Sequence, residues 1–280
     1  MADPAGVRET ARAAIAAAAA RLAATSETPR LDAELLMAQA LGITREALLL
    51  GGLDRPAASG FAALVDRRAA GEPIAYITGT RAFWTIELVV SPAVLIPRPD
   101  SETLIEAAVE HFRGTPGPAR ILDLGTGSGA LLLAALGEWP GASGIGIDRS
   151  AAALAVAADN AARLGMADRA EMRAGGWGGT GEAFDLLLCN PPYIEAGASL
   201  PQDVAAHEPH GALFAGADGL DDYRALAPLL ERQIAPGGVA CIEIGARQAA
   251  AVTALLAGCG LGATVRRDLA GHDRCIVVSR

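Results

Sequence analysis

The 280-residue sequence predicts an α/β fold: a mostly parallel, seven-stranded sheet with helices on both faces, behind a small helical domain and a β-hairpin linker. Three observations carry this expectation. From Arg120 onward, short apolar runs of strand length alternate with segments of helical period. A glycine-rich turn, Asp123-Leu124-Gly125-Thr126-Gly127-Ser128-Gly129, follows the first of those runs. Residues 1 to about 70 contain no convincing strand. The expected domains are 1–72 (helical), 73–99 (linker) and 100–280 (α/β).

In the first domain Leu31, Leu35, Leu36 and Leu41 recur at helical spacing, as do Leu48, Leu49 and Leu50 and then Phe61, Leu64 and Val65. Gly42, Gly51-Gly52 and Pro56 supply the breaks. The texture changes at Gly71-Glu72-Pro73. Phe83 to Val90 and Val94-Leu95-Ile96 then read as a short antiparallel connector. Pro97-Arg98-Pro99 stiffens the exit, and Asp100 or Ser101 caps a helix running to about Phe112. Strands are expected near 120–124, 143–148, 170–173, 184–189, 238–244, 264–268 and 274–278. Helices are expected near 129–138, 150–164, 220–234 and 246–258.

Composition narrows the classes of function. With 51% hydrophobic and 20% charged residues the chain reads as an ordinary soluble globular protein. A net charge of −9 argues against wrapping a nucleic-acid backbone, so no direct nucleic-acid partner is expected. Cys189, Cys241, Cys259 and Cys275 are scattered, without metal-like spacing; three of them sit in apolar, strand-like or helix-end contexts, which fits buried thiols in a reducing, cytoplasmic setting. No metal site is expected. The alanine run from Ala13 to Ala20 has arginines on its flanks and no cleavage site, so it reads as a soluble helix and not a leader. No stretch approaches the roughly 20 strongly apolar residues of a membrane span.

The chemistry is concentrated in two segments. Gly125, Gly127 and Gly129 allow a tight turn between strand and helix and a close approach of the backbone to a ligand, with Thr126 and Ser128 between them. Asp148 ends the next strand at a spacing that suits the ribose hydroxyls of a nucleoside. This much fits NAD and S-adenosylmethionine equally. Asn190-Pro191-Pro192-Tyr193, after the apolar run Phe184–Cys189, separates them. The Asn190 side-chain oxygen and the Pro191 carbonyl can hold both N–H bonds of a planar NH2 group and favour positive charge on its nitrogen. The prolines hold those carbonyls rigidly, and Tyr193 offers a ring face to a flat amide or base. The combination fits methyl transfer from S-adenosylmethionine to an amide or exocyclic amine.

Alongside these motifs, Glu72 to Gly79, Leu95 to Glu102, Glu208-Pro209, Glu243-Ile244-Gly245 and Asp268 to Arg274 resemble the peptide chain release factor glutamine methyltransferases, the PrmC or HemK family. The resemblance runs from about residue 30 to the C-terminus. It implies a Rossmann-like, class I S-adenosylmethionine-dependent methyltransferase domain and N5-methylation of the glutamine in the Gly-Gly-Gln motif of release factors 1 and 2. It further implies that Gly125, Thr126, Gly127, Ser128, Gly129, Asp148, Trp177 and Asn190 bind the cofactor, and that Asn190, Pro191, Pro192 and Tyr193 clamp the glutamine. Many relatives carry an Asp before the position of Trp177, where this chain has Gly176. The expected protein is a cytoplasmic monomer that contacts no membrane.

Arg98 and Glu102 are candidates for the substrate approach, with Arg98 equally suited to a structural ion pair. His207 and Glu208-Pro209 are candidates for covering the site. Two neighbouring readings keep the chemistry and change the substrate: a ribosomal-protein glutamine, or the exocyclic amine of a nucleic-acid base. Neither a basic face nor a target-recognition domain supports the second.

Overall fold

The computed structural model describes residues 9–280, so positions 1–8 of the expected helical domain lie outside the described residues. Two compact units are present: residues up to Gly79 together with Pro201–His207, and Thr80–Leu200 together with Glu208–Arg280.

The first unit is helical. Helices α1 (Ala11–Leu22) and α2 (Pro29–Leu41) precede a short α3 (Arg45–Ala47), which runs into a π turn at Leu48–Gly52. Helices α4 (Phe61–Ala69) and α5 (Ile74–Thr78) follow. The Thr10 hydroxyl caps α1 by accepting from Ala13 N, and Gly42 ends α2 in the left-handed region. The core joins Ala11, Ile15 and Leu22 to Leu36, Met37, Leu48, Phe61, Val65 and Ile77. Part of the expected leucine pattern faces outward, since Leu31, Leu49 and Leu50 are exposed and the small residues Ala33 and Ala38 take core positions instead. A buried ion pair of Arg68 with Asp32, at 2.7 Å, ties α4 to α2.

The second unit opens with a hairpin, β1 (Thr80–Phe83) against β2 (Ile86–Val89). The apolar stretch 83–90 is therefore two strand segments broken by a turn, and Val94–Ile96 is not a strand. Trp84 causes the break. It has a φ of 53°, and its main-chain and indole N–H groups donate to Glu102 and Glu138. A 3-10 turn at Pro99–Ser101 leads into α6 (Glu102–His111). Ser101 is not the expected cap: its backbone is already helical and its hydroxyl is engaged elsewhere.

The sheet is built from β3 (Arg120–Leu124), β4 (Ser143–Asp148), β5 (Ala170–Ala174), β6 (Phe184–Cys189), β7 (Ile234–Glu243), β8 (Thr264–Arg267) and β9 (Asp273–Ser279). Their order is β5-β4-β3-β6-β7-β9-β8, parallel except for the pairs β7–β9 and β8–β9. The helices interleaved with these strands are α7 (Ala130–Glu138), α8 (Ala151–Arg163), α9 (Gln202–His207, part of the helical unit), α10 (Asp221–Gln233) and α11 (Ala249–Gly258). One face packs α6 and α7 through Leu104, Ile105, Leu132 and Leu136. The other packs α10 and α11 through Leu226, Leu230, Val252 and Leu256. Chain order reverses direction across β3, placing β4 on one side and β6 on the other. A ligand crevice opens at the carboxyl ends of strands at such a switch point.

Candidate active site

A cleft of about 420 Å³ lies at that switch point, within the roughly 300–1,000 Å³ range of small-molecule sites. It is lined by Gly125 to Ser128 after β3, Asp148 to Ser150 after β4, Gly175 to Trp177 after β5, and Asn190 and Pro192 after β6. Sequence-distant residues meet there because four parallel strands end at the same edge.

The loop after β3 is tied to the end of β4. Gly125 N and Thr126 N both donate to Ile147 O, at 2.8 and 2.9 Å. Gly127 N donates to Asp148 Oδ2 at 3.0 Å, and Ser150 N donates to Asp148 Oδ1 at 2.8 Å. Each Asp148 oxygen therefore keeps a free lone-pair direction, with the side chain at the cleft wall. Gly125 has a φ of 73°, and a Cβ there would come within 3.4 Å of the Trp177 ring. That distance is ordinary van der Waals contact, so it is the left-handed backbone that calls for glycine here.

Trp177 is fixed despite its four neighbouring glycines. Its indole N–H donates to Asp222 at 2.9 Å, and its carbonyl accepts from Gln233 at 2.9 Å. Thr126 donates at 2.7 Å to buried Asp123, whose Oδ1 has no partner among the described residues. Burial pushes the Asp123 carboxyl up to about 7, against the Thr126 hydrogen bond.

The four residues after β6 separate spatially. Asn190 and Pro192 line the cleft, Pro191 is buried and does not, and Tyr193 is partly buried against the core cluster on the face of α10 and α11. The Tyr193 hydroxyl donates to Glu243 at 3.3 Å, and its carbonyl accepts from Gln248. The expectation of a free tyrosine face is thus set against a tyrosine occupied by its own framework. Asn190 Nδ2 donates to Ser101 Oγ at 3.2 Å, while Asn190 Oδ1 and the Pro191 carbonyl accept no hydrogen bond from the described residues.

Ser101 and Glu243 form a hydrogen-bond chain behind Asn190 that the sequence does not announce, since it offers Ser101 as a helix cap and Glu243 only within a motif. Their hydrogen bond joins residues 142 positions apart, so no local spacing announces it. Burial raises Glu243 to about 7, opposed by Ser101, Arg274 and Tyr193. Arg98 pairs with buried Glu208, which also accepts from Ile96 N at 3.2 Å, so the structural alternative holds for Arg98. Glu102 accepts from Trp84 N and supports the hairpin turn. Pro209 lines the cleft. Among the described residues no acidic, histidine and cysteine cluster suits a metal, and no helix is long and apolar enough to cross a membrane.

These residues fit S-adenosylmethionine. The glycine cradle leaves room that a Cβ at Gly125 would narrow, a carboxylate stands at the nucleoside spacing, and an indole ring borders the space between them. Comparison with known proteins agrees. Residues 13–79 match the PrmC N-terminal domain, and residues 118–263 match a methyltransferase domain. The chain is 44% identical to the release factor glutamine methyltransferase of Rhodospirillum rubrum, over 91% of this chain and 80% of that one. It is 44% identical to the Cereibacter sphaeroides protein of the same name, covering 94% and 96% of the two chains. For the Moorella thermoacetica protein of that name, identity is 42% and coverage 97% and 99%. A methyltransferase from Pyrococcus furiosus shares the fold at a TM-score of 0.52 and 15% identity, over 76% of this chain and 96% of that one. The ribosomal protein L11 methylase of Lactobacillus delbrueckii does so at 0.50 and 21%, over 68% and 83%. Carrying both domains at this similarity to full-length relatives, the chain belongs to the release factor glutamine methyltransferase family.

Proposed function

We propose that this protein methylates the side-chain amide nitrogen of the glutamine in the Gly-Gly-Gln motif of peptide chain release factors 1 and 2. The observation that carries the reading is an unengaged acceptor, Asn190 Oδ1, on a residue lining the cleft beside the glycine loop and Asp148, followed directly in the chain by a second unengaged acceptor, the Pro191 carbonyl. When bound, S-adenosylmethionine supplies an electrophilic methyl group. Gly125, Thr126, Gly127, Ser128 and Gly129 would hold it, with Asp148 available to its ribose hydroxyls and Trp177 to its adenine.

The chain's own contribution is to position and polarise. An amide nitrogen is a poor nucleophile because its lone pair is delocalised into the carbonyl. Two fixed acceptors hold both N–H bonds, aim the nitrogen into the cleft and favour the positive charge that develops on it. Pro191 and Pro192 restrict the backbone that carries the second acceptor. No general base is required, because the proton becomes acidic only after methylation and leaves to solvent. A glutamate in the same place would set oxygens against oxygens.

The helical unit takes the role of gripping the release factor, since every cofactor-type motif lies beyond residue 120. The enzyme works as a monomer in the cytoplasm. Ribosomal-protein or nucleic-acid substrates are not favoured by the names of the relatives. Asn190→Ala tests the clamp: the rate at saturating cofactor should fall roughly 10²–10³-fold, as for loss of one oxyanion donor, with cofactor affinity retained. A near wild-type rate would reject it.

A further inference from the structure

We propose that Ser101 and Glu243 are positioning residues that set which end of the Asn190 amide faces the cleft, and through it the choice of glutamine over glutamate. The inference rests on the function proposed above. A carboxamide has a donor end and an acceptor end of nearly equal shape, so only its neighbours decide how it sits. Here those neighbours form a chain with one sense.

The chain begins at Glu243, which is fully buried. Its Oε2 accepts from the Ser101 hydroxyl and its Oε1 from the Tyr193 hydroxyl. Each hydroxyl has a single proton, and an ionised carboxylate has none to give back. Once the Ser101 proton is committed to Glu243, Ser101 Oγ can offer Asn190 only lone pairs. The Asn190 NH2 must therefore turn to Ser101, at 3.2 Å, and its oxygen must turn away. The acceptor required by a glutamine substrate is in this way fixed by a carboxylate that does not line the cleft.

The fold brings the three residues together by register. In the parallel pair β6–β7 Cys189 stands opposite Ile242, so Asn190, the first residue past β6, follows beside Glu243, the last residue of β7. Ser101 arrives from the turn before α6. The surroundings hold the carboxylate in place: Arg274 on β9 faces it, bridged in turn to Asp100 at 3.1 Å and Asp268 at 3.2 Å. The Tyr223 hydroxyl secures the Glu243 carbonyl at 2.8 Å. Reversing the Ser101 proton would invert the chain. Asn190 would then present NH2 to the cleft, opposing a substrate NH2 and accommodating a substrate carboxylate.

The test uses the full chain with Ser101→Ala, Ser101→Thr and Glu243→Gln. Three quantities are read: kcat on a release factor, inhibition by the same factor carrying glutamate in place of its target glutamine, and S-adenosylmethionine affinity by calorimetry. Ser101→Ala should lower kcat roughly 10–100-fold, less than loss of the acceptor itself, and strengthen inhibition by the glutamate form about tenfold. Cofactor affinity should not change. Ser101→Thr, which restores a hydroxyl, should recover most of both effects. Glu243→Gln keeps the side-chain shape but can accept from only one of the two hydroxyls, and so tests the chain from its other end should Ser101→Ala fold poorly. Loss of rate without any change in glutamine-against-glutamate discrimination would overturn the proposal, as would wild-type kcat in Ser101→Ala. An unaltered protein that transfers no methyl to release factor would instead overturn the function, and this inference with it.

Discussion

Replacing Asp148 by alanine removes three acceptor roles at one point. Two are visible: the carboxylate caps Gly127 N at 3.0 Å and Ser150 N at 2.8 Å. The third is the proposed contact to the cofactor ribose. A hydrogen bond to a charged group contributes ~1.5–3 kcal/mol, so losing the ribose contact should weaken S-adenosylmethionine binding by roughly 10–150-fold. The two backbone N–H groups sit beside a partly exposed side chain, and water can replace their acceptor. Their loss should cost about 1 kcal/mol or less each in folding stability. Calorimetric titration at a temperature where melting curves show both proteins folded measures the affinity. A 2′,3′-dideoxy cofactor analogue separates the ribose contact from loosening of the glycine loop. It should bind the wild type weakly, yet lose little further affinity in Asp148→Ala, because the two changes remove the same interaction. Unchanged affinity in a folded Asp148→Ala protein, or fully additive losses, would refute the assignment.

Trp177→Ala should weaken cofactor binding by ~0.5–1.5 kcal/mol, the worth of an aromatic stacking partner, and titration of the variant checks this against an unchanged Kd. Glu243 gives a pH signature. Its carboxyl is raised to about 7 by burial, with Ser101, Arg274 and Tyr193 lowering it and Asp100 raising it. Only the ionised form accepts from both hydroxyls, so kcat should rise with pH through about 7, and Glu243→Gln should flatten that limb; identical profiles would count against the role. Asp123 gives a stability signature in the cofactor-free protein. Its carboxyl is raised from 3.8 to about 7, so the folded state holds a proton that the unfolded state releases. Stability should therefore fall as pH climbs through that window, by on the order of 4 kcal/mol from this residue. Urea unfolding should show a shallower fall in Asp123→Asn, and an equal slope would refute the buried acid.

The sheet was legible where a strand is buried on both faces. Phe184–Cys189 and Arg120–Leu124 are mostly apolar, interrupted by Asp185 in the first and by Arg120 and Asp123 in the second, and both lie at the expected positions. Reading failed where local chemistry and tertiary pairing disagree. β7 begins at Ile234, before Pro236-Gly237-Gly238, because a register shift opposite Phe184–Leu186 absorbs the turn residues. Val94 and Ile96 are buried and β-prone but lie outside the hairpin's strands, so apolar character alone did not make them a strand. The six-residue α9 buries none of its side chains and carries no periodic signal. The glycine loop, Asp148 and Asn190 meet at the cleft because each stands at or just past the end of its strand. The partners of Asn190 were not legible: Ser101 read as a helix cap, and Glu243 read as the end of a strand. Only the register of β6 against β7 brings that carboxylate level with the amide. Tyr193 read as an open ring face, but its side chain packs against the core cluster and its hydroxyl has a partner at the end of β7.

The most direct test of the clamp is mass spectrometry of purified release factor after incubation with the protein and S-adenosylmethionine bearing an isotopically labelled methyl group. Fragmentation of the peptide spanning the Gly-Gly-Gln motif should place one labelled methyl on the glutamine side-chain nitrogen, and the same incubation with Asn190→Ala should leave that peptide almost unmodified. Label on another residue, or on ribosomal protein or nucleic acid offered in the same reaction while the release factor stays unmodified, would contradict it.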